Sequence, residues 1–293
     1  MKTDKDDLVT RHATLDEIGV LLSWAENEGW NPGIGDAGLF YEADESGYFV
    51  SYLNDVLVAG ISVVKQNDKH AFLGLYLCHP EYRGKGIGLK TWNAGLSSVG
   101  ARCVGLDGVV DQQENYSRSG FSYVHRNVRY AGPISQLISE LESSSTNNGI
   151  KTSLATIEDL NAVVEYDAHV GGLELPTFYK AWLKNHSTRK TMIAMANERI
   201  VGVAGIRQCA SGYKVGPWLA DNATVASTLI YETVKPYQHE SVMIDIPEPN
   251  RAAAELLQSS GFAPVFETAR MYRGAAPSID TDRLFGVATL ELG

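Results

Sequence analysis

The stretch CHPEYRGKGIGLKTW, residues 78–92, places Gly84, Gly86 and Gly88 at alternate positions behind Pro80 and sets Arg83 and Lys85 among them. The apolar run AFLGLYL, residues 71–77, precedes it, and an amphipathic pattern follows. The order reads strand, glycine-rich turn, helix. Such a turn offers backbone N–H groups with no intrahelical acceptor, and glycines let a ligand approach them without a Cβ in the way. The start of the helix adds partial positive charge, so phosphate or pyrophosphate is the natural guest, with Arg83 and Lys85 placed to screen it. The run is not a P-loop, because no GK[ST] follows a four-residue gap. It also lacks the acidic ribose partner of a dinucleotide fold. A plain tight turn with solvated basic side chains is the simpler alternative.

Working outward, the chain repeats itself. ATLDEIGVLLSWAEN begins a capping box at Thr14 and Glu17, with Ile18, Leu21, Leu22 and Ala25 on one helical face. ATIEDLNAVVEYDAH repeats the design from Thr156, 142 residues on. Two hairpin-like turns, at Asn54 and Asn197, lie 143 apart, and the SGF glycines Gly120 and Gly261 lie 141 apart. One period links all three features. The expected extents are a first domain over 1–131, a linker over 132–149, a second domain over 150–275, and a tail over 276–293 that adds a strand at LFGVATLEL.

In the first half, strands are expected near 47–53, 56–65, 70–78, 102–110 and 121–130, with helices near 15–28, 86–99 and 112–119. The expected class is α/β (α+β), with a mixed twisted sheet flanked by helices in each half.

A net charge of -10 and a pI near 5.2 disfavour nucleic acid and anionic membrane surfaces and favour a cationic partner such as an amine. No apolar run approaches the ~20 residues of a membrane span. MKTDKDDLVT lacks the apolar core of a secretory signal. Cys78, Cys103 and Cys209 are widely spaced, which points to reduced thiols in a cytoplasm and to no metal site.

LYLCHPEYRGKGIG resembles the acyl-CoA motif of the GCN5-related N-acetyltransferase (GNAT) superfamily, Arg/Gln-x-x-Gly-x-Gly/Ala, on Arg83, Gly86 and Gly88. YSRSGF is similar to the family's Tyr-x-x-x-Gly-Phe motif, on Tyr116, Gly120 and Phe121. The resemblance covers the whole first half and, more weakly, the second, as a tandem arrangement. It implies acetyl-CoA as cosubstrate and no metal. Backbone groups of Gly84, Lys85, Gly86, Ile87 and Gly88 would hold the pyrophosphate beside Arg83. Leu75, Tyr76 and Leu77 would pair with the pantetheine arm, in a splay between this strand and 102–110. Tyr116 would protonate the departing thiolate. The family's Asn and Ala, seven and four residues before that tyrosine, are replaced here by Val109 and Gln112.

The implied reaction is direct attack of a primary amine of a small molecule on the thioester in a ternary complex. Trp30, Asn31, Asp36, Phe40 and Tyr41, in the Gly- and Pro-rich segment after the first helix, are candidates for the acceptor wall. Asp36, Asp107 and Asp111 are candidate bases, and a relayed water is another. Two other functions stay open: a CoA-holding regulatory module without turnover, and a protein- or peptide-modifying acetyltransferase. Assembly into a homodimer also stays open. In the second half, the stretch NATVASTLIYE around Val225 has no glycine or arginine, and Leu257 stands at the position of Tyr116. Asn250 and Ala253, however, restore the Asn/Ala pair. One active site per chain is expected, with the second half a degenerate copy.

Overall fold

A computed structural model of the chain describes residues 8–143 and 149–293. The first half runs β1 (Leu8–His12), α1 (Leu15–Asn27), α2 (Asp36–Ala43), β2 (Tyr48–Leu53), β3 (Val56–Lys65), β4 (His70–Cys78), α3 (Ile87–Ser97), β5 (Cys103–Val109), α4 (Gln113–Arg118) and β6 (Ser122–Pro133). α5 (Ile134–Ser143) begins the connection. SSSTNN, in the middle of the expected linker, falls almost entirely outside the described residues. The second half runs β7 (Lys151–Leu154), α6 (Leu160–Gly171), α7 (Pro176–Trp182), β8 (Arg189–Ala196), β9 (Arg199–Gln208), β10 (Tyr213–Ala220), α8 (Ala223–Val234), β11 (Ser241–Pro247), α9 (Arg251–Ser259) and β12 (Ala263–Arg273). The short β13 (Leu284–Gly286) follows.

Local sequence explains the element ends. The Thr14 hydroxyl accepts from the Glu17 amide, and the Glu17 carboxylate accepts from the Thr14 amide, so the capping box starts α1 as expected. Thr156 and Asp159 make the same reciprocal pair before α6. Asn54-Asp55 and Asn197-Glu198 all adopt positive φ, which turns the two hairpins at equivalent places. The segment after α1, read from sequence as a Gly- and Pro-rich loop, also holds α2. Its N-cap, Gly35, sits at φ 88, and the segment's glycines mask the helical spacing behind them.

The strands form one continuous sheet in the order β1-β2-β3-β4-β5-β12-β6-β11-β10-β9-β8-β7. Each half ends by giving its last strand to the other. β12 pairs with β5 of the first half, and β6 pairs with β11 of the second. The two exchanged strands then pair with each other through the middle of the sheet. The sequence repeat shows two similar halves but carries no sign of this crossing, because equivalent strands have equivalent patterns wherever they dock. Helices cover both faces. One core joins α1 and α2 of the first half to α6 and α7 of the second around Ile18, Leu21, Phe40, Tyr179 and Trp182.

Candidate active site

β4 and β5 run parallel from His70↔Cys103 to Leu73↔Leu106, and the pairing stops there. Beyond that point β5 stays paired with β12 and β4 with β3, so the two central strands diverge. Next to this fork β4 bulges. Leu75 and Tyr76 stand opposite the single Ile61 in the ladder with β3, and Leu75 takes φ 44. A left-handed, non-glycine residue is an unfavourable conformation, and its place here marks a site that the surrounding sheet enforces.

The fork opens a cavity of about 520 Å³. Leu75, Tyr76, Leu77 and Cys78 form one wall, and Leu106, Asp107, Val109, Asp111 and Tyr116 form the other. Its mouth is the glycine-rich turn. Gly84 and Gly86 sit at φ 76 with nothing within 4 Å of where a Cβ would stand, so backbone conformation, not crowding, requires glycine there. Gly86 is the N-cap of α3 and offers no side-chain cap. The first amides of the helix are therefore left to a ligand or to water. This cradle, bare of side chains and opening on a fork wide enough for an extended arm, fits the pyrophosphate and pantetheine of a coenzyme A thioester.

The sequence-expected residues sort by position. Leu75, Tyr76, Leu77, Arg83, Gly84, Gly86 and Gly88 line the cavity, with Trp30, Asp107, Asp111 and Tyr116. Lys85 lies over the Tyr82 ring, 5.1 Å from its centroid, and Ile87 is buried beneath the turn. Neither side chain is in the cavity wall. Arg83 donates to the Cys78 carbonyl at 2.9 Å and pairs with Glu28, which holds the turn against the end of α1.

Tyr116 is buried, and its ring stacks on Trp92 at 5.5 Å and 17°. Gly108 makes room for it, since a Cβ there would meet the ring at 2.6 Å. Desolvation, and then the nearby Tyr76, push the Tyr116 hydroxyl well above the usual phenol range. It is a protonated donor at any physiological pH. Burial also raises the Cys78 thiol, which keeps it neutral and unsuited to nucleophilic attack.

Two of the expected carboxylates are already committed. Asp107 accepts from Arg270 at 2.8 and 2.7 Å and from Asn127 at 2.8 Å. Burial works against the Arg270 charge, but Asp107 outweighs it and holds the guanidinium strongly protonated. Asp36 lies away from the cavity. It is 1% exposed, accepts from Arg207 at 2.5 Å, and accepts from the Gly33 amide at 2.8 Å. It fastens the segment after α1 to β9 rather than facing a substrate. Asn31 serves the same joint through the Ser211 backbone. Phe40 and Tyr41 pack into the shared core. Trp30 remains in the cavity, and its carbonyl accepts from Lys214 at 2.8 Å and Arg129 at 3.0 Å.

The inner end of the cavity comes from places that the sequence reading did not reach: Arg129 of β6, Phe266 and Thr268 of β12, and Leu290 and Glu291 of the tail. The strand exchange brings the first three residues of this floor together. In sequence, these residues have no motif and lie far from the turn.

Acetyltransferase (GNAT) models match the chain twice, over residues 15–121 and 163–286. Holothin acyltransferase from Pseudoalteromonas sp. (strain SANK 73390) is 32% identical over 97% of this chain and 94% of its own. The chain belongs to the GNAT family, in tandem form. In structure it is similar to a putative acetyltransferase from Pyrococcus horikoshii, with a TM-score of 0.78 at 22% identity, covering 98% of this chain and 96% of that one. It also resembles a tandem GNAT protein from the clavulanic acid biosynthesis pathway, with a TM-score of 0.63 at 13% identity, covering 93% and 100%.

The second GNAT copy keeps the fork and fills it. β10 and β11 pair in parallel from Tyr213↔Val242 to Val215↔Ile244 and then diverge. β13 enters the gap, antiparallel to β10, and the Val287 amide donates to the Asp245 carbonyl at 2.9 Å. Phe285 packs on Trp218 with ring centroids 5.2 Å apart. Gly216 stands where Gly74 stands in the first copy, and a Cβ on it would lie 2.0 Å from the Val287 carbonyl oxygen. At the start of α8, the Asn222 side chain accepts from the Val225 amide, which caps a helix that in the first copy is left open. Asn250, which restores a family position, accepts from the Ala253 amide and donates to the Asp282 and Leu284 carbonyls. It binds the tail. Trp182 and Trp218 are core residues at 1% and 0% exposure.

Proposed function

We propose that this GNAT protein is an N-acyltransferase that moves an acetyl group from acetyl-CoA to a primary amine of a small molecule, by direct attack in a ternary complex. The open glycine cradle at the end of the β4–β5 fork, with Tyr116 inside the fork, carries this reading. Amides of residues 84–88 would receive the pyrophosphate, and the unpaired stretch of β4 would receive the pantetheine arm. Coenzyme A supplies an activated acyl group as a thioester. The chain supplies everything else.

The bulge at Leu75 frees backbone groups beside the reacting carbonyl, where an N–H can stabilise the negative charge that develops on oxygen. Tyr116 stays protonated and can give its proton to the departing sulfur. Holding both reactants in one cavity removes much of the entropic cost of their meeting. The closed inner end, walled by β6, β12 and the tail, supports a small acceptor rather than a protein chain. The similar holothin acyltransferase is named for acyl transfer, which supports the same reaction class here.

The test is thiol release from acetyl-CoA over a panel of polyamines, amino sugars, amino acids, heterocyclic amines and peptides. Tyr116→Phe is expected to lower turnover about 100-fold while acetyl-CoA affinity by calorimetry stays within error. Undiminished turnover would remove Tyr116 as the acid. Absence of acetyl-CoA binding by the wild-type chain would end the reading as a whole.

A further inference from the structure

The carboxylates lining the cavity are Glu28, Asp107, Asp111 and Glu291. Glu28 is paired with Arg83 and Asp107 with Arg270. Asp111 is exposed beyond the end of β5. Glu291 is different. It is 5% exposed, lines the inner end of the cavity, and makes neither a salt bridge nor a side-chain hydrogen bond among the described residues.

The fold puts it there by design of the tail. After β13 fills the second copy's fork, the chain crosses to the first copy and passes over the bare backbone of Gly74. A Cβ on Gly74 would lie 2.3 Å from the Glu291 carbonyl oxygen and 2.9 Å from its Cα. Gly74 directly precedes the bulged Leu75, so Glu291 is fixed at the reacting end of the cavity. The next residues are clamped: the Leu292 amide donates to the Thr289 hydroxyl at 2.8 Å, and Gln66 donates to the Leu292 carbonyl at 2.9 Å. On the upstream side, Arg207 donates to the Ala288 carbonyl.

We infer that Glu291 receives the acceptor's ammonium group and takes its proton, so that the tail of the degenerate copy supplies the base of the active one. The inference rests on the N-acyltransferase reading above. The ammonium gives one proton to Glu291, which passes it to solvent. The freed nitrogen lone pair forms the C–N bond to the thioester carbon, and the C–S bond breaks with its electron pair going to sulfur. The sulfur takes the Tyr116 proton, one of the two protons left on nitrogen restores the Tyr116 hydroxyl, and the other stays on the amide. Amide, free thiol and one solvent proton balance the step.

The groups facing Glu291 are Arg129 of β6, Arg207 of β9 and Lys214 of β10. Asp245 of β11 and Asp36 of α2 are paired with the two arginines, and Tyr48 of β2 and Cys209 lie near. Burial, and then Arg129, lower the Lys214 pKa. Glu291 could thus serve merely to balance these cations, and the experiment must separate that role from catalysis.

Using the full chain, an amine from the panel and saturating acetyl-CoA, Glu291→Gln is expected to lower kcat/KM about 100-fold at pH 7 and to abolish the acidic limb of the pH–rate profile. Acetyl-CoA affinity should stay unchanged, which shows that the variant is folded. Glu291→Asp should keep the acidic limb at reduced rate. Wild-type rate and profile in Glu291→Gln, with or without a lower Tm, would overturn the assignment and leave charge balance as the residue's role. A wild-type chain that acylates no amine would instead sink the functional reading, and this assignment with it.

Discussion

Glu17 joins the first helix to the sheet through three partners. Its carboxylate accepts from the Thr14 amide at 2.8 Å, from Arg11 at 2.9 and 2.7 Å, and from the Tyr52 hydroxyl at 2.5 Å. The Arg11 hydrogen bond, opposed by burial and helped by Thr14 and Tyr52, pulls its pKa from the ordinary 4.5 to about 2. A depressed carboxylate stabilises the fold above the unfolded value and loses that contribution as pH falls through the folded one. Relative to Glu17→Gln, wild type should be more stable by about 1 kcal/mol at neutral pH, a modest figure because Arg11 is half exposed. The difference should close between pH 4.5 and 2, read by urea unfolding at stepped pH. A constant difference across that range would show that size or capping shape, not charge, is what Glu17 contributes. The capping box was legible in the sequence because its partners are three residues apart. Arg11 and Tyr52 were not, since they meet Glu17 only once β1 and β2 pair.

Among the elements, the tail is the one whose placement decides most. β13 is three residues long, and alone it would have no stability. It is held by the fork of the second copy, by Phe285 on Trp218, and by Asn250. Asn250→Ala removes a helix cap and two hydrogen bonds to the tail at once, and is expected to cost about 2 kcal/mol. Limited proteolysis between residues 274 and 283 should then quicken, and acyl transfer should fall with it if Glu291, which the tail carries, is the base. Proteolysis and activity both at wild-type levels would show that the fork alone seats the tail. The glycine-rich turn is the opposite case. Its glycines, its preceding strand and its following helix are contiguous, so its geometry could be written down before any tertiary contact was known.

For the molecule as a whole, the exchanged strands set the unit of folding. Without the second half, β5 would present an unpaired edge in the centre of a sheet, and β6 would lack both its neighbours, β12 and β11. Residues 8–143 expressed alone should therefore be insoluble or lack dispersed amide resonances, and the intact chain should unfold in one calorimetric transition. Two separated transitions, or a well-folded isolated half, would show that the crossing is dispensable. The exchange also makes the cavity a joint product. The first copy brings the cradle and Tyr116, and the second brings Phe266 and Thr268 to its floor.

Sequence by itself determined what depends on neighbours along the chain: the period of the repeat, the capped helices, the hairpins, the cradle at Gly84–Gly88, Tyr116 in register with Gly120, and the loss of both from the second copy. Tertiary structure alone decided which strand fills which gap and which carboxylates remain available. Asp36 and Asp107 looked equivalent to other acids until Arg207 and Arg270 arrived from distant strands to engage them. Glu291 looked like an ordinary residue near the end of the chain until the tail crossed Gly74. A charge's role is set by the partners that burial forces on it, and in this fold those partners come from the other half.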